Sequence, residues 1–141
     1  MIGSEIHEFA QKIWGINRSI TGEGLRQTLQ HIKTHLPNLN IKSFPSGTQV
    51  FDWNIPKEWN VKAAYLIAPN GEKICDFSEN NLHLVGYSIP FQGKVSLKEL
   101  QKHLHSLPDQ PDAIPYVTSY YNEYWGFCIS QRDRDNLEDG D

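Results

Sequence analysis

A chain of 141 residues suits one ordinary domain, or a small domain with part of a second, and at this length it needs no disulfide or metal staple to bury a core. Thirteen basic residues against 17 acidic ones give a net charge of -4 with no basic block, which removes the electrostatic footprint of a polyanion-binding protein, so nucleic acid is not expected as a partner. The first ten residues carry glutamates and no long apolar run, so neither a secretory leader nor a membrane span is expected, and a cytoplasmic setting is the default.

Ile6, Phe9, Ala10, Ile13 and Trp14 recur at helical spacing, which predicts a first helix capped by Ser4 and ended by Gly15. The polar connector Asn17-Arg18-Ser19-Ile20-Thr21-Gly22-Glu23-Gly24 leads to a second stripe, Leu25, Leu29, Ile32 and Leu36, which stops at Pro37. Short β-type runs follow, beginning with Asn40 to Phe44 and a Pro45-Ser46-Gly47 turn. Val61, Ala63, Tyr65 and Ile67 alternate, Pro69-Asn70-Gly71 turns the chain, and Lys73 to Phe77 reads as the returning strand of a hairpin. Leu82 to Ile89 reads as a further strand. Ser96 and Glu99 form a capping box for a helix whose stripe is Leu97, Leu100, Leu104 and Leu107, closed by Pro108. A strand is expected through Trp125 to Ser130, and the polar residues 131–141 are expected to fray. The fold class is therefore α+β: a helical part over residues 1–45, then a β-rich module with one short helix over residues 46–141.

Among candidate chemical groups, His31 and His35 lie four apart on one helix face, as two zinc ligands of a His-Glu-x-x-His protease would, but Ile32 stands where the general base is required. His103 and His105 are two apart on the expected helix and so point to different sides. His83 is placed on a strand face opposite Leu82 and Leu84, where it serves either as an acid, base or hydrogen-bond donor or as a structural residue. Arg18, next to the amides that open the second helix, is a candidate for holding a carboxylate or phosphate, against the plainer role of ordering the connector. Tyr116, Tyr120, Tyr121, Tyr124, Trp125 and Phe127 place six of the 16 aromatic residues within 12 positions, a density that suits either a pocket wall or a small core. Cys75 and Cys128 sit far apart in apolar stretches and read as buried thiols. No Gly-x-Ser-x-Gly elbow and no paired carboxylates can be assigned.

The runs Ile13-Trp14-Gly15-Ile16-Asn17-Arg18-Ser19-Ile20-Thr21-Gly22-Glu23-Gly24, Pro45-Ser46-Gly47-Thr48-Gln49-Val50-Phe51-Asp52-Trp53 and Pro56-Lys57-Glu58-Trp59 together resemble one family. So do Asn81-Leu82-His83-Leu84-Val85-Gly86-Tyr87-Ser88, Leu107 to Tyr116, Thr118 to Tyr121 and Trp125-Gly126-Phe127-Cys128. The family is that of bacterial aminopeptidase-like proteins, often encoded near surface-polysaccharide genes, and the likeness runs in order along nearly the whole chain. It implies a protein of about three times this length, with a zinc-exopeptidase-type α/β domain, a β-rich insertion and a C-terminal winged-helix-like domain.

The same resemblance implies that zinc is bound by the longer protein through a Cys-His-Pro stretch and later ligands; here Cys128 is followed by Ile129, so none of those ligands maps onto this chain and no cofactor is expected in it. The expected function is that of an N-terminal fragment that shapes a peptide or small-molecule pocket through Arg18, His83, Tyr120 and Trp125, with the missing C-terminal catalytic portion as its partner. The rival is a non-catalytic module that binds a sugar or peptide through the 116–127 aromatics. A helical part separated from its partner is expected to be poorly soluble or to self-associate.

Overall fold

The computed structural model describes residues 2–120 and 122–138. It is a mixed α+β structure in which the chain divides into two compact units, Met1–Asn60 and Val61–Asp141. The boundary between these compact units falls after Asn60, and the change of texture read from the sequence falls at Pro45.

In the first unit, α1 spans Ile2–Ile13 and α2 spans Glu23–His35. Ser4 lies inside α1 and does not cap it. The second helix stops where expected, with Leu36 as its last, non-helical residue donating its amide to Ile32 O before Pro37. Phe9 of α1 meets the edge of His35 on α2 at 4.9 Å. Residues 40–44 form no strand; the strands are instead β1, Gln49–Val50, and β2, Trp53–Asn54, an antiparallel hairpin joined through Phe51 and Asp52. The Pro45-Ser46-Gly47 turn is present, with Thr48 N donating to Pro45 O.

The Asn17–Gly24 connector is tied to the segment 57–60. Ser19 Oγ lies 2.6 Å from Thr21 O and 3.2 Å from Trp59 O, Thr21 Oγ1 donates to Lys57 O, and Asn60 Oδ1 accepts from the Glu23 amide at 2.7 Å, taking one of the amides that open α2. Gly24 is required by proximity: a Cβ there would stand 1.8 Å from Asn17 O.

The second unit holds the apolar core. Leu66–Ile67 (β3) and Lys73–Ile74 (β4) form the expected hairpin around Pro69-Asn70-Gly71, with strands shorter than the alternation suggests. The returning strand is broken at Cys75, whose φ of 52° leaves the extended region. Leu82 to Ile89 is not a strand: Asn81–His83 form a 3₁₀ turn capped by Asn80, followed by single bridges from Leu84 to Phe127 and from Gly86 to Thr118.

Ser96 caps α3, Leu97–Leu100, by accepting the Glu99 amide. The helix tightens to a 3₁₀ turn over Gln101–His103 and ends there, five residues before Pro108, because Leu104–His105 (β5) pairs in parallel with Phe127–Cys128 (β6). Strand pairing over a buried Leu104 wins over the helical spacing of the leucines. The frayed end expected at 131–141 is, in its described part, a short helix α4, Gln131–Asp135, capped by Ser130; Arg134 donates to Gln101 and Ser106, and Leu137 packs against the core. Asp139, Gly140 and Asp141 lie outside the described residues.

Cys75, Leu104, Phe127 and Ile129 form the buried cluster, covered by Ala64, Leu66, Ile74, Leu84, Leu100, Trp125 and Leu137. By contrast α1 has no buried residue: Ile2 is 76% exposed and Ile6 64%. Phe127→Ala is accordingly expected to cost about 3–5 kcal/mol in urea unfolding, while Ile2→Ala stays within about 0.5 kcal/mol. Equal costs for the two would contradict this assignment of the core.

Candidate functional site

The cluster around Trp125 begins with the backbone. Trp125 O accepts a hydrogen bond from His103 Nδ1 at 2.6 Å, which fixes the proton on that nitrogen and lays the imidazole flat on the indole, with centroids 3.8 Å apart and planes 4° from parallel. Phe91 also stacks on the indole, at 4.3 Å and 8°. Tyr124 lies against His103 at 5.3 Å, and its hydroxyl meets His105 Nε2 at 2.9 Å and donates to Lys102 O at 3.2 Å. Such ring pairs each add about 0.5–1.5 kcal/mol beyond the area they bury, so the cluster is rigid as well as aromatic. Phe91 is half exposed.

A second aromatic pair is made by two residues in an unusual backbone state. Tyr87 and Tyr120 have φ of 66° and 50°, and their rings stack at 6.2 Å and 23°. Bulky residues are genuine outliers in this region and persist only where the surroundings hold them. They are held by the exchange across Gly86: its amide donates to Val117 O and its carbonyl accepts from Ser119 N, each at 2.9 Å, while Thr118 Oγ1 accepts the Tyr120 amide. A Cβ at Gly86 would lie 3.2 Å from Thr118 Oγ1, so the tight pairing there favours glycine.

Of the four residues expected to line a pocket, Tyr120 and Trp125 stand in these two clusters. His83 is in the 3₁₀ turn, not on a strand face, and its Nδ1 donates to Cys128 O at 2.9 Å, which leaves Nε2 as the acceptor in the neutral ring. Arg18 belongs to the first unit, where Nη1 donates to Ile13 O at 2.5 Å, at the end of α1. Tyr121 lies outside the described residues, and Tyr116 is exposed. His103 and His105 are not on one helix: the first ends the 3₁₀ turn and the second is in β5.

Sequence reasoning missed Phe91, Tyr87 and the part played by His103. No local spacing marks Phe91, which meets Trp125 across 34 positions of the chain, whereas the Gly86-Tyr87 step is visible as a glycine beside an aromatic residue.

In the first unit, a shallow open depression of about 500 Å³ on α2 is lined by Glu23, Arg26, Gln27, Gln30, His31 and Thr34; Arg26 is paired with Glu23 and Glu58. Among the described residues no group of three or more His, Cys, Asp or Glu side chains is arranged to share a metal ion, so His31 and His35 gain no further donor and the residues present do not fit a zinc site.

Residues 58–141 match the family described as a domain of unknown function, DUF2172. The chain belongs to the DUF2172 family. Over 139 residues, 99% of its length, it is 49% identical to a Clostridium acetobutylicum protein provisionally named a polysaccharide biosynthesis protein with aminopeptidase-like domain, and it covers 32% of that protein. A crystal structure of a C. acetobutylicum protein provisionally named a peptidase matches with a TM-score of 0.95 and 48% identity, over 99% of this chain and 33% of that one. The chain therefore spans about a third of the length of these relatives. No helix among the described residues is long and apolar enough to cross a membrane.

Burial governs the thiols, Tyr124 and His105 of the DUF2172 segment. Both cysteines are free and buried; burial pushes the Cys75 thiol up to about 12, helped by Asp133, and the Cys128 thiol up to about 11, so neither is a nucleophile at neutral pH. Burial also raises the Tyr124 hydroxyl and lowers His105, the latter with help from Arg134 and His103. A histidine lowered in the folded state takes up its proton first in the unfolded chain. Stability is therefore expected to fall as pH drops below the ordinary histidine value of about 6.5. His105→Gln, which keeps a donor near Tyr124 but cannot titrate, is expected to flatten that part of the profile in urea melts between about pH 7.5 and 5, and an unchanged slope would contradict it.

Proposed function

We propose that this chain forms the N-terminal third of an aminopeptidase-like zinc metallohydrolase, supplying pocket-shaping elements while the metal ligands come from the remainder of a longer protein. The observation that carries this reading is the match to a Clostridium acetobutylicum protein and to a crystal structure from the same organism, in each case over 99% of this chain but only about a third of the longer polypeptide. The exposed Ile2 and Ile6 of α1 support it, since an amphipathic helix with none of its residues fully buried presents apolar surface that a longer protein can cover. On this reading residues 1–45 belong to a zinc-exopeptidase-type domain, the β-rich module is an insertion within it, and the protein works in the cytoplasm on a peptide or small molecule.

Within the second unit Trp125 and Tyr120 then line the substrate path, with His83 as a polar contributor; Arg18, in the first unit, is proposed separately as a group that holds a substrate carboxylate or phosphate. Rigid ring faces beside hydroxyl and imidazole groups suit a substrate that is part apolar and part polar. On this reading the catalytic step belongs to the remainder of the longer protein; among the described residues here no group of three or more His, Cys, Asp or Glu side chains is arranged to share a metal ion.

A second reading, a non-catalytic module that binds a sugar or peptide, is favoured by the Tyr87 and Tyr120 pair, in which two strained tyrosines are stacked with Tyr120 exposed.

The gene separates the two. Continuation of the frame beyond Asp141 into a Cys-His-Pro region is expected under the first reading, and a stop there favours the second. In the longer protein, Trp125→Ala and Arg18→Ala are each expected to lower kcat/KM about tenfold or more, that is, to remove about 1.4 kcal/mol of transition-state stabilisation. Parental turnover in both variants would remove the pocket role.

A further inference from the structure

The tip of the first hairpin carries a side chain that its own backbone does not favour. Two-residue hairpin connections prefer glycine or asparagine where φ is positive, because a side chain there is strained. In this hairpin the first connecting residue is Phe51, with φ of 54°. The residue is 93% exposed, so its ring is left uncovered by the described residues, and the one side-chain contact to its backbone is Gln49 Nε2 donating to Phe51 O at 3.2 Å. At the base of the tip, Val50 and Trp53 are directly paired, 37% and 48% exposed. Paired residues share a face of the ribbon, so the phenyl ring projects from a short apolar base.

We infer that Phe51 is a docking knob that seats in an apolar pocket of the polypeptide following residue 141 in a chain of the relatives' length; the inference rests on the reading of this chain as one third of a longer enzyme. The convex shape decides the kind of partner. A projecting ring on a narrow ribbon cannot enclose a small substrate, but it can enter a cavity on another protein surface, where burying a phenylalanine is worth more than the strain at its own backbone. The length of the relatives supplies the occupant: the same fold stands as 33% of a solved chain, leaving two thirds of a polypeptide to present the pocket.

The test uses the full product of the reading frame. In the longer protein, Phe51→Gly relieves the backbone strain and removes the ring together. An idle ring predicts a melting temperature raised by a few degrees, since relieving roughly 1 kcal/mol of strain moves a domain of 150–250 residues by about 2–4 °C. A docked ring predicts a fall instead. A second measurement places p-benzoylphenylalanine at position 51 and maps the photo-cross-link by mass spectrometry. A cross-link within one chain to a residue beyond 141 supports the docking. A link to a second copy, a link confined to residues 1–141, or no link overturns it. A frame that stops after Asp141 overturns both the docking and the proposed function, whereas a longer, active enzyme with a raised melting temperature in Phe51→Gly overturns the docking alone.

Discussion

The segment Gly126–Ser130 is five consecutive buried residues, and the second unit is organised by what their backbone holds. Gly126 O accepts from Val85, Cys128 O from His83, and Trp125 O, one step earlier, from His103. Phe127 lies between Leu104 on one strand and the single bridge from Leu84 on the other side. Gly126 permits this: a Cβ there would stand 2.9 Å from His103 O and 2.7 Å from the Tyr124 ring. Because the carbonyls are engaged by a backbone amide and two imidazoles from outside the strand, a ladder two residues long is enough to place two histidines and the indole.

That arrangement explains which parts of the fold were legible. Helix α2 and its stop at Pro37, the Ser96 cap and the turn at Pro69-Asn70-Gly71 each follow from a local rule, and each is found, although the Glu99 carboxylate of the expected capping box turns to Lys102. The strands were not legible in extent, because their pairings are two residues long and are broken by left-handed residues such as Cys75 and Tyr87, which no hydrophobic alternation reveals. The leucines of the α3 region satisfy a helical period over Leu97 to Leu107, yet Leu104 is taken by β5. A period fixes which residues face a core but not which backbone state brings them there. The end of the chain misled for a related reason: Gln131 to Asp135 is polar throughout and still ordered, since Ser130 caps it and Arg134 reaches Gln101 and Ser106.

The candidate site was legible as composition and not as geometry. The aromatic density of 116–127 pointed to Trp125 and Tyr120, but their stacking partners Phe91, His103 and Tyr87 come from elsewhere in the chain. His83 takes the hydrogen-bonding, structural alternative that its sequence position left open, and His103, whose spacing suggested no such role, is held in the same way, each through Nδ1 by a backbone carbonyl. In a neutral ring that hydrogen bond leaves Nε2 as the acceptor, so the chain orients two imidazoles without a carboxylate partner for either Nδ1.

The two units differ in how completely they satisfy themselves. The second closes a cluster of buried apolar residues. In the first, only Gly22 and Thr28 are buried among the described residues, although α1 carries Ile2, Ile6, Phe9 and Ile13 along one face. Intrinsic propensity gives short helices little stability in water, and most of it comes from burying such a face. The hydrogen bonds of the connector, from Ser19, Thr21 and Asn60 to the 57–60 segment and the start of α2, fix its local shape, but each contributes only about 0.5–1.5 kcal/mol and none replaces a core. A segment that specifies its backbone by polar contacts while leaving Ile2, Ile6 and Phe51 exposed draws little of its stability from burial within itself.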